Sequence, residues 1–525
     1  MIRLGLLLGF VFVVFVGNSQ QNPLLKGGIN APYEQSLYSS KFTHTAFKPT
    51  FIKLKKEKAG SNFLESNLIT IAGSKDSTKA PYYFILNPAF EFSSALQNTE
   101  DDFVPGVGLG INFRGEIKER LNLGFTFLNY RSKYIDYQRN FIVNNRVSPG
   151  VGVQHGVDIF SSNYLSGFIN YESKKYFNFE LGYGRQFIGD GYRSLLLSDA
   201  TNASPYFKIT TKVWKIKYTN LFASHQNIFN VEGKPELYQR KYTASHFLDW
   251  QITKWLSLGL FETIVWQDQE GTFKRGFDPN YLNPIIFYRP IEFSVGSSDN
   301  ALVGTNIKFT LPKEHIFYFQ VVLDEFLLSE LQADFRQWQN PDQDIKSGWW
   351  ANKYGIQMGW KKFDLFKIKG LDTRLEYNFV RPYTYAHSSS TQSYSNYNIS
   401  LAHPLGANFE EILFVANYSR NKWFGRIHIN YAENGLSLPG TNYGENIQLS
   451  NVSRTKEYEN YTKQGLFQQT IFADASIAYC FQEKWNATVS LGASYRKSTI
   501  ETSSTTNQFI YLNVKTNLFN RYFDY

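Results

Sequence analysis

The sequence predicts an all-β protein, a transmembrane antiparallel β-barrel of about 16–18 strands with loop inserts. Three observations carry this prediction: an export signal at the N-terminus, repeated alternation of apolar and polar residues, and no long apolar segment after the first 20 residues. A spanning helix needs about 20 apolar residues, so the pattern excludes a helical membrane protein. A closed barrel is then the remaining way to cross a membrane.

The first residues have the layout of a signal peptide. Arg3 gives a positive start, residues 4–16 are almost entirely apolar, and Gly17-Asn18-Ser19 supplies small residues at a cleavage site. We predict that residues 1–19 are removed after export. The alternative is an N-terminal transmembrane anchor, for which the apolar run is short. We predict a periplasmic or plug-like region over residues 20–80 and the outer-membrane β-barrel over residues 81–525.

The composition fits a barrel. Aromatic residues make up 17% of the chain, with 35 Tyr and 46 Phe, and such residues suit strands and interfacial girdles. A single cysteine, Cys480, excludes a disulfide framework and a cysteine metal cluster. The eight histidines show no metal-ligand spacing, so we expect no metal and no cofactor.

The formal net charge is +9, and a local excess of positive charge lies before the first clear strand. It consists of Lys53, Lys55, Lys56 and Lys58. These lysines indicate a solvated periplasmic segment. The alternative is contact with an anionic partner, either lipid headgroups or an acidic polymer. We expect no nucleic-acid partner, because the chain is exported and has no binding motif.

Alternation is clearest over residues 485–496. One face carries Trp485, Ala487, Val489, Leu491, Ala493 and Tyr495, and the other carries Asn486, Thr488, Ser490, Gly492, Ser494 and Arg496. The same pattern occurs over residues 121–127, 177–183, 213–219, 373–379, 423–431 and 471–482. Such segments are about long enough to cross a membrane when tilted, with the apolar face toward lipid and the polar face toward the lumen.

The end of the sequence predicts the strand that closes the barrel. Ile510, Leu512, Val514, Thr516 and Leu518 alternate with polar residues and Tyr511, and an aromatic residue, Tyr525, follows. A barrel uses its last strand to close the sheet. The alternative to a barrel is a soluble β-sandwich, whose polar face would meet water.

Several segments lack alternation and are predicted to be loops or inserts into the lumen. They are residues 132–162, 268–300, 384–398 and 434–463. The Ser-rich run 388–395 is the best candidate for a mobile outer loop.

Two irregular segments carry the candidate site residues. In residues 182–205, a glycine-flanked turn is followed by a serine- and leucine-rich run; the candidates here are Arg185, Asp190, Arg193 and Asp199. In residues 278–304, three prolines interrupt any regular central strand; the candidates here are Arg289, Glu292, Asp299 and Asn300. Charges on a lipid face are costly, so we expect these side chains to point inward and meet. They would then either brace an insert or hold a polar ligand such as a glycan; a simple Arg–Asp pair that fixes the turn is the alternative.

Asp324 and Glu325 form an adjacent pair of carboxylates, a pairing that glycoside chemistry can use. Neighbouring strand residues point to opposite faces, so we predict one lumenal acid and one rim acid. No Ser/His/Asp order and no nucleotide motif stands out, and we expect no enzymatic activity. A catalytic site can still be spatial and need no local motif.

Four phrases carry a resemblance to a known group of proteins. They are GRQFIGDGYRSLLLSD at 184–199, NPIIFYRPIEFSVGSSDNALVG at 283–304, LDEFLLSEL at 323–331 and NYNISLAHPLGANFEE at 396–411. With these the chain resembles the RemB-like gliding-motility proteins of Bacteroidota and, more distantly, the Wzi family of capsule assembly. The first resemblance implies support of gliding. The second implies an outer-membrane barrel that holds capsular polysaccharide at the cell surface.

The sequence therefore favours a non-enzymatic barrel in the outer membrane of a Gram-negative bacterium, supporting gliding motility or surface adhesion. The expected partners are outer-membrane lipid, surface polysaccharide and gliding-machinery proteins. The first alternative is a porin-like diffusion channel, since barrels of this size commonly enclose water. A barrel enzyme is the second alternative.

Overall fold

The computed structural model describes residues 31–39, 44–49, 66–73, 80–98, 103–173, 175–231, 233–284, 299–343 and 345–525. The predicted signal peptide, the four lysines before the first strand, and the candidates Arg289 and Glu292 lie outside the described residues. Eighteen antiparallel strands close into one barrel, which confirms the predicted fold class and the upper limit of the predicted strand number.

The barrel strands are numbered here in chain order. The first nine are β1 (Tyr82–Gln97), β2 (Phe103–Ile117), β3 (Leu121–Ser132), β4 (Phe160–Glu172), β5 (Phe177–Gly184), β6 (Ser204–Val213), β7 (Ile216–Asn227), β8 (Gln239–Gln251) and β9 (Leu256–Gln267). The other nine are β10 (Asn300–Leu311), β11 (His315–Leu323), β12 (Tyr354–Lys362), β13 (Leu371–Val380), β14 (Phe409–Arg420), β15 (Trp423–Leu436), β16 (Leu466–Gln482), β17 (Ala487–Ile500) and β18 (Ser503–Thr516). A short strand, Ile69–Ala72, pairs with the beginning of β1.

Short and long connections alternate along the chain, so the barrel has a short-turn end and a long-loop end. The long connections cover residues 133–159, 185–203, 268–299, 324–353, 381–408 and 437–465. One predicted strand, 213–219, is wrong, because it spans a tight turn between β6 and β7. The turn is made by Trp214 and Lys215, and Trp214 has a φ of 53°.

The predicted facing is confirmed in the wall. Leu491 is 53% exposed on the outside and pairs in register with Ile477 and Leu512, which also face outward. The alternating partners, including Ser494 and Arg496, are buried on the inside. Trp485 departs from the prediction: it lies in the turn before β17 and is buried rather than placed on the outer face.

β18 closes the barrel by pairing with β1, from Phe509 opposite Gln97 to Lys515 opposite Glu91. The strand ends at Thr516, however, so the prediction that Leu518 continues the outer face is wrong. Leu518 is buried, and residues 517–525 fold into the barrel. Polar partners on the inside hold this segment; the Tyr137 hydroxyl, for example, donates to the Phe523 carbonyl oxygen at 2.7 Å.

Among the described residues, three α-helices accompany the barrel: α1 (Ala31–Ser39), α2 (Asp136–Asn145) and α3 (Leu328–Gln339). α1 contacts inward residues near the short-turn end, where Gln35 donates to both Glu314 and Asp364 at 3.1 Å. α2 and α3 belong to the long loops after β3 and β11. Within the part of the chain that the structure describes, no helix is long and apolar enough to cross a membrane.

Chain segments fill much of the lumen. The loop between β5 and β6 crosses it, and Phe47–Lys48 pairs with Phe187–Ile188 as a small internal sheet. The Ser-rich run was predicted to be a mobile outer loop, but its second half is buried; Ser393 and Ser395 are 0% and 1% exposed. The Lys241 ammonium explains this position, because it donates to the Ser393 carbonyl and the Ser395 hydroxyl, both at 2.8 Å.

Candidate functional site

The loop between β5 and β6, residues 185–203, is the element that organises the lumen. Gly189 has a φ of 152°, which favours glycine, and a side chain at Gly191 would collide with the Glu376 carboxylate. After this turn Leu195 and Leu196 are both 0% exposed, within an apolar core enclosed by the barrel wall. The glycines therefore let the loop approach the wall, and the leucines hold it there.

Arg193 is the centre of a buried ionic network. Its guanidinium donates to Glu411 Oε1 at 2.8 Å and lies 3.0 Å from Asp524 Oδ2. The arginine and both acids are at most 3% exposed. The backbone nitrogens of Tyr192 and Arg193 donate to the Glu376 carboxylate at 2.7 and 3.0 Å. The network joins the loop to β13, β14 and residues 517–525.

Asp190 joins the same loop to the N-terminal segment. Its carboxylate accepts hydrogen bonds from Tyr38 and Thr45, both at 2.6 Å, and from Asn306 at 3.2 Å. Burial opposes ionisation of Asp190, but Lys308, Lys48 and these hydroxyls outweigh it and hold the pKa of Asp190 below its usual range. A charged Asp190 therefore fixes α1 and the residues after it.

Arg185 and Asp199 brace the two ends of the loop. Arg185 donates to the Gly150 carbonyl oxygen at 2.6 Å and to the Asp199 carbonyl oxygen at 3.2 Å. The Asp199 carboxylate accepts from the Tyr522 hydroxyl at 2.5 Å and from the Asn520 amide at 2.8 Å. Residues 517–525 thus hold this loop at two places, through Asp199 and through Arg193.

Asp299 and Asn300 occupy a separate cluster beside β9 and β10. Asp299 accepts from Arg275 at 2.9 Å and from the Tyr281 hydroxyl at 2.6 Å. Asn300 donates to the Gln392 carbonyl oxygen at 2.9 Å. Among the described candidates, Arg185, Asp190, Arg193 and Asp199 therefore form the first group, and Asp299 and Asn300 form the second. The proposed approach of Arg289 and Glu292 to the first group stays a prediction.

Sequence reasoning missed the partners that make the network. Glu376, Glu411 and Asp524 hold the loop, yet none was singled out as a site residue. The alternation over residues 373–379 already placed Glu376 on the inner face. Its partner is 183 positions away in the sequence, and local pattern carries no information about that pairing.

α1 is fixed near the short-turn end by charge. Glu34 lies 2.5 Å from the Lys361 ammonium and 3.2 Å from the Arg374 guanidinium. Burial opposes its ionisation, but these two cations lower the pKa of Glu34 to about 2. Glu34 is therefore ionised at neutral pH and holds α1 against the barrel wall.

Asp324 and Glu325 match the predicted separation into an inner and a rim acid. The Asp324 side chain is 0% exposed and that of Glu325 is 38% exposed. Both contact the Lys353 ammonium, at 3.4 and 3.2 Å. The lysine links the start of the β11–β12 loop to its end, which is a structural use of both carboxylates.

A cavity of about 400 Å³ remains along one side of the lumen. Its walls are inward residues of β1 to β3 and β14 to β18, together with the start of α2, the segment before it, Tyr192 and residues 517–524. Aromatic rings, amides and hydroxyl groups line it, together with the side chains of Arg426 and Lys515. The cavity is thus polar and aromatic, and it is separate from the apolar core around Leu195.

An aromatic surface lies at the long-loop end; we call the rings of Phe335, Trp338, Trp350, Tyr458 and Tyr461 the loop-face patch. Phe335 and Trp338 on α3 stack at 5.7 Å and are 56% and 75% exposed. Three loop segments carry the patch and its flanking cations: α3, residues 346–350 and residues 454–461.

Two contacts connect those segments. The backbone N–H of Gly348 donates a hydrogen bond to the Asp334 carboxylate of α3 at 2.6 Å. The backbone N–H of Trp350 donates to the Glu457 carbonyl oxygen at 3.0 Å. Cations flank the rings: the Arg454 guanidinium is 4.2 Å from the Trp350 ring centre, and the Lys346 ammonium is 3.9 Å from that of Tyr458. The patch therefore offers three exposed rings, those of Phe335, Trp338 and Tyr461, beside two half-buried rings and polar groups on a supported surface.

Neither a protein-family model nor a curated protein matches the sequence. Several solved structures are similar to this chain at low sequence identity. Wzi, described as an outer-membrane protein of Escherichia coli involved in group 1 capsule assembly and a carbohydrate-binding β-barrel, is 12% identical with a TM-score of 0.48, over 81% of this chain and 84% of Wzi. The outer-membrane protein OprD of Pseudomonas aeruginosa is 9% identical with a TM-score of 0.44, over 84% and 95% of the two chains. OccK1 of the same organism is 8% identical with a TM-score of 0.43, over 82% and 97%.

Proposed function

We propose that the protein is a non-enzymatic, plugged barrel of a Gram-negative outer membrane that binds polysaccharide at its long-loop end in support of adhesion or gliding. The observation that carries this proposal is the filled lumen: the β5–β6 loop crosses it, and Asp190, Arg193 and Asp199 are each at most 1% exposed. With much of the lumen filled, the loop surface is the part of the barrel that a large polymer can reach.

The packing inside the lumen explains why we favour binding over diffusion. Leu195, Leu196 and Ile188 belong to an apolar cluster that also contains inward residues of β6 to β11, β13 and β14. A water-filled channel has a polar lumen. Opening a path through this half of the barrel would expose that apolar cluster and break the ion pairs of Arg193.

The loop-face patch supports the choice of a saccharide. Aromatic rings can lie against the apolar faces of sugar rings, while neighbouring polar groups bind the hydroxyls. Trp338 is 75% exposed and stacks on Phe335, so its ring is available without a change in the fold. The Lys346 ammonium beside the Tyr458 ring also favours a polysaccharide that carries acidic groups, whereas Arg454 is paired with Glu457.

The test compares two tryptophans of equal exposure at opposite ends of the barrel. Trp338→Ala should weaken binding of purified protein to surface polysaccharide by about tenfold or more, the loss expected for one well-placed ring. Trp214, 76% exposed in the short turn between β6 and β7, provides the matched control. Trp214→Ala should bind like wild type. Equal affinity in both variants and wild type would contradict a role for the patch.

The physiological role is tested in the cell. The resemblance to RemB-like proteins supports a part in gliding, with motility proteins as partners. Deletion of the gene should reduce surface spreading. Complementation with the Trp338→Ala gene instead of the wild-type gene should not restore spreading. Normal spreading without the gene would reject the motility proposal while leaving polysaccharide binding open to its own test.

A selective channel is the second candidate, and the cavity of about 400 Å³ is the observation that favours it. Single-channel recording in a planar bilayer distinguishes the two. The plugged barrel predicts no steady conductance at neutral pH. A stable conductance of the wild-type protein would favour the channel and reject the filled lumen as the basis of function.

A further inference from the structure

We propose that the lumenal cavity is a binding site for a small anionic sugar, with Arg426 and Lys515 as the groups that bind its acidic substituent. The proposal concerns the inside of the barrel and does not depend on polysaccharide binding by the loop-face patch. Three observations carry it: the balance of charge in the cavity, the placement of the two cations, and the chemistry of the remaining lining.

Of the three carboxylates that line the cavity, those of Glu91 and Asp524 are paired with arginines, whereas Asp474 accepts only from hydroxyl groups. Glu91 accepts two hydrogen bonds from the Arg521 guanidinium, at 2.7 and 2.5 Å. Asp524 is 3.0 Å from Arg193, and Asp474 accepts from the Tyr511 hydroxyl at 3.0 Å. None of these acids forms an ion pair with Arg426 or Lys515 within the described residues. Among the described residues that line the cavity, two cations without an ion-pair partner, Arg426 and Lys515, therefore stand against one carboxylate without an ion-pair partner, Asp474.

The register fixes where these cations lie. Arg426 on β15 is paired with Asn417 and Ser476, and Lys515 on β18 is paired with Glu91 and Thr488. Both side chains line the cavity from strands that are separated by β16 and β17. A cation in a partly desolvated site binds an anion more strongly than at the open surface, so two cations that line one cavity favour an anionic ligand.

The rest of the lining indicates a sugar rather than a simple inorganic ion. The side chains of Asn417, Ser490 and Asn513 offer amide and hydroxyl groups, and the rings of Phe472 and Tyr511 border the same space. Amides and hydroxyls bind sugar hydroxyls, and rings pack against the sugar face. The volume of about 400 Å³ suits a ligand of one or two sugar units.

The test is isothermal titration calorimetry of the full-length protein in detergent. It measures the affinity of the protein for D-glucuronate, D-glucose 6-phosphate and D-glucose. The anionic sugars should bind and neutral glucose should not, and the stronger of the two anions identifies a carboxylate or a phosphate as the preferred group. Arg426→Gln and Lys515→Gln should each weaken binding by about tenfold or more. Trp338→Ala should leave this binding unchanged, which separates this site from the surface patch.

Two further variants keep the result interpretable. Lys515→Arg retains the charge and should bind within a few-fold of wild type, so a folding defect is distinguished from the loss of a cation. Lys497, exposed on the outer face of β17, gives the matched control Lys497→Gln, which should bind like wild type. The proposal is overturned if no sugar binds, if glucose binds as tightly as the anions, or if either glutamine variant retains wild-type affinity.

Discussion

Replacing Arg193 by methionine tests whether the buried network braces the lumen. Methionine keeps much of the length of the side chain and all of the backbone hydrogen bonds, so the change removes mainly the positive charge. Glu411 and Asp524, which are 0% and 3% exposed, then lose their shared counter-charge. Breaking a buried ion pair by removing one partner costs about 3–5 kcal/mol.

The structure places the expected cost at the lower end of that range. Glu411 would keep hydrogen bonds from Asn378 and Asn430, both at 2.9 Å, and a contact with His403 at 2.8 Å. Asp524 would keep His428 at 3.3 Å. We therefore expect about 3 kcal/mol of lost local stability, which increases opening of the loop by about 150-fold.

Amide hydrogen exchange in lipid measures this directly. Protection should fall in residues 187–197 and 517–525, which Arg193 joins, and should persist in the strands of the barrel. Arg420, exposed at the end of β14, gives the control Arg420→Met, which should leave exchange unchanged. In a double-mutant cycle with Glu411→Gln, the stability losses of the two substitutions should not be additive. Wild-type protection in Arg193→Met would refute the bracing role.

Two further predictions address the wall and α1. Leu491→Arg should lower the free energy of unfolding in vesicles by about 2–4 kcal/mol, because position 491 faces lipid. Position 490 faces the cavity, so Ser490→Arg should lower the free energy of unfolding less. Equal losses would show that the assigned facing is wrong. The pKa of Glu34 is lowered from 4.5 to about 2, so its stabilisation of α1 is complete above about pH 4.5 and is lost as the pH falls toward 2. Protease protection of α1 should follow that profile in wild type and be insensitive to pH in Glu34→Gln; a wild-type profile in Glu34→Gln would assign the effect to another group.

Local pattern was enough to predict the barrel wall. Alternation depends on neighbouring residues alone, because successive side chains of a strand point to opposite faces. The outward positions of Leu375, Ile427 and Leu491 follow directly from the sequence. Tight turns escape this reasoning: residues 213–219 alternate, yet Trp214 and Lys215 reverse the chain between β6 and β7.

The contents of the lumen depended on the tertiary structure. The sequence by itself indicated that Asp190 and Arg193 belong inside, because exposed charges are costly in lipid. It did not indicate that Tyr38 would bind Asp190, or that Asp524 would bind Arg193, since these pairs are 152 and 331 positions apart. Closing the barrel brings them within hydrogen-bonding distance, and in that enclosed space the buried charges must find partners. The sequence thus determined the wall and the polarity of its two faces, whereas the closed fold decided which charges pair and where the cavity remains.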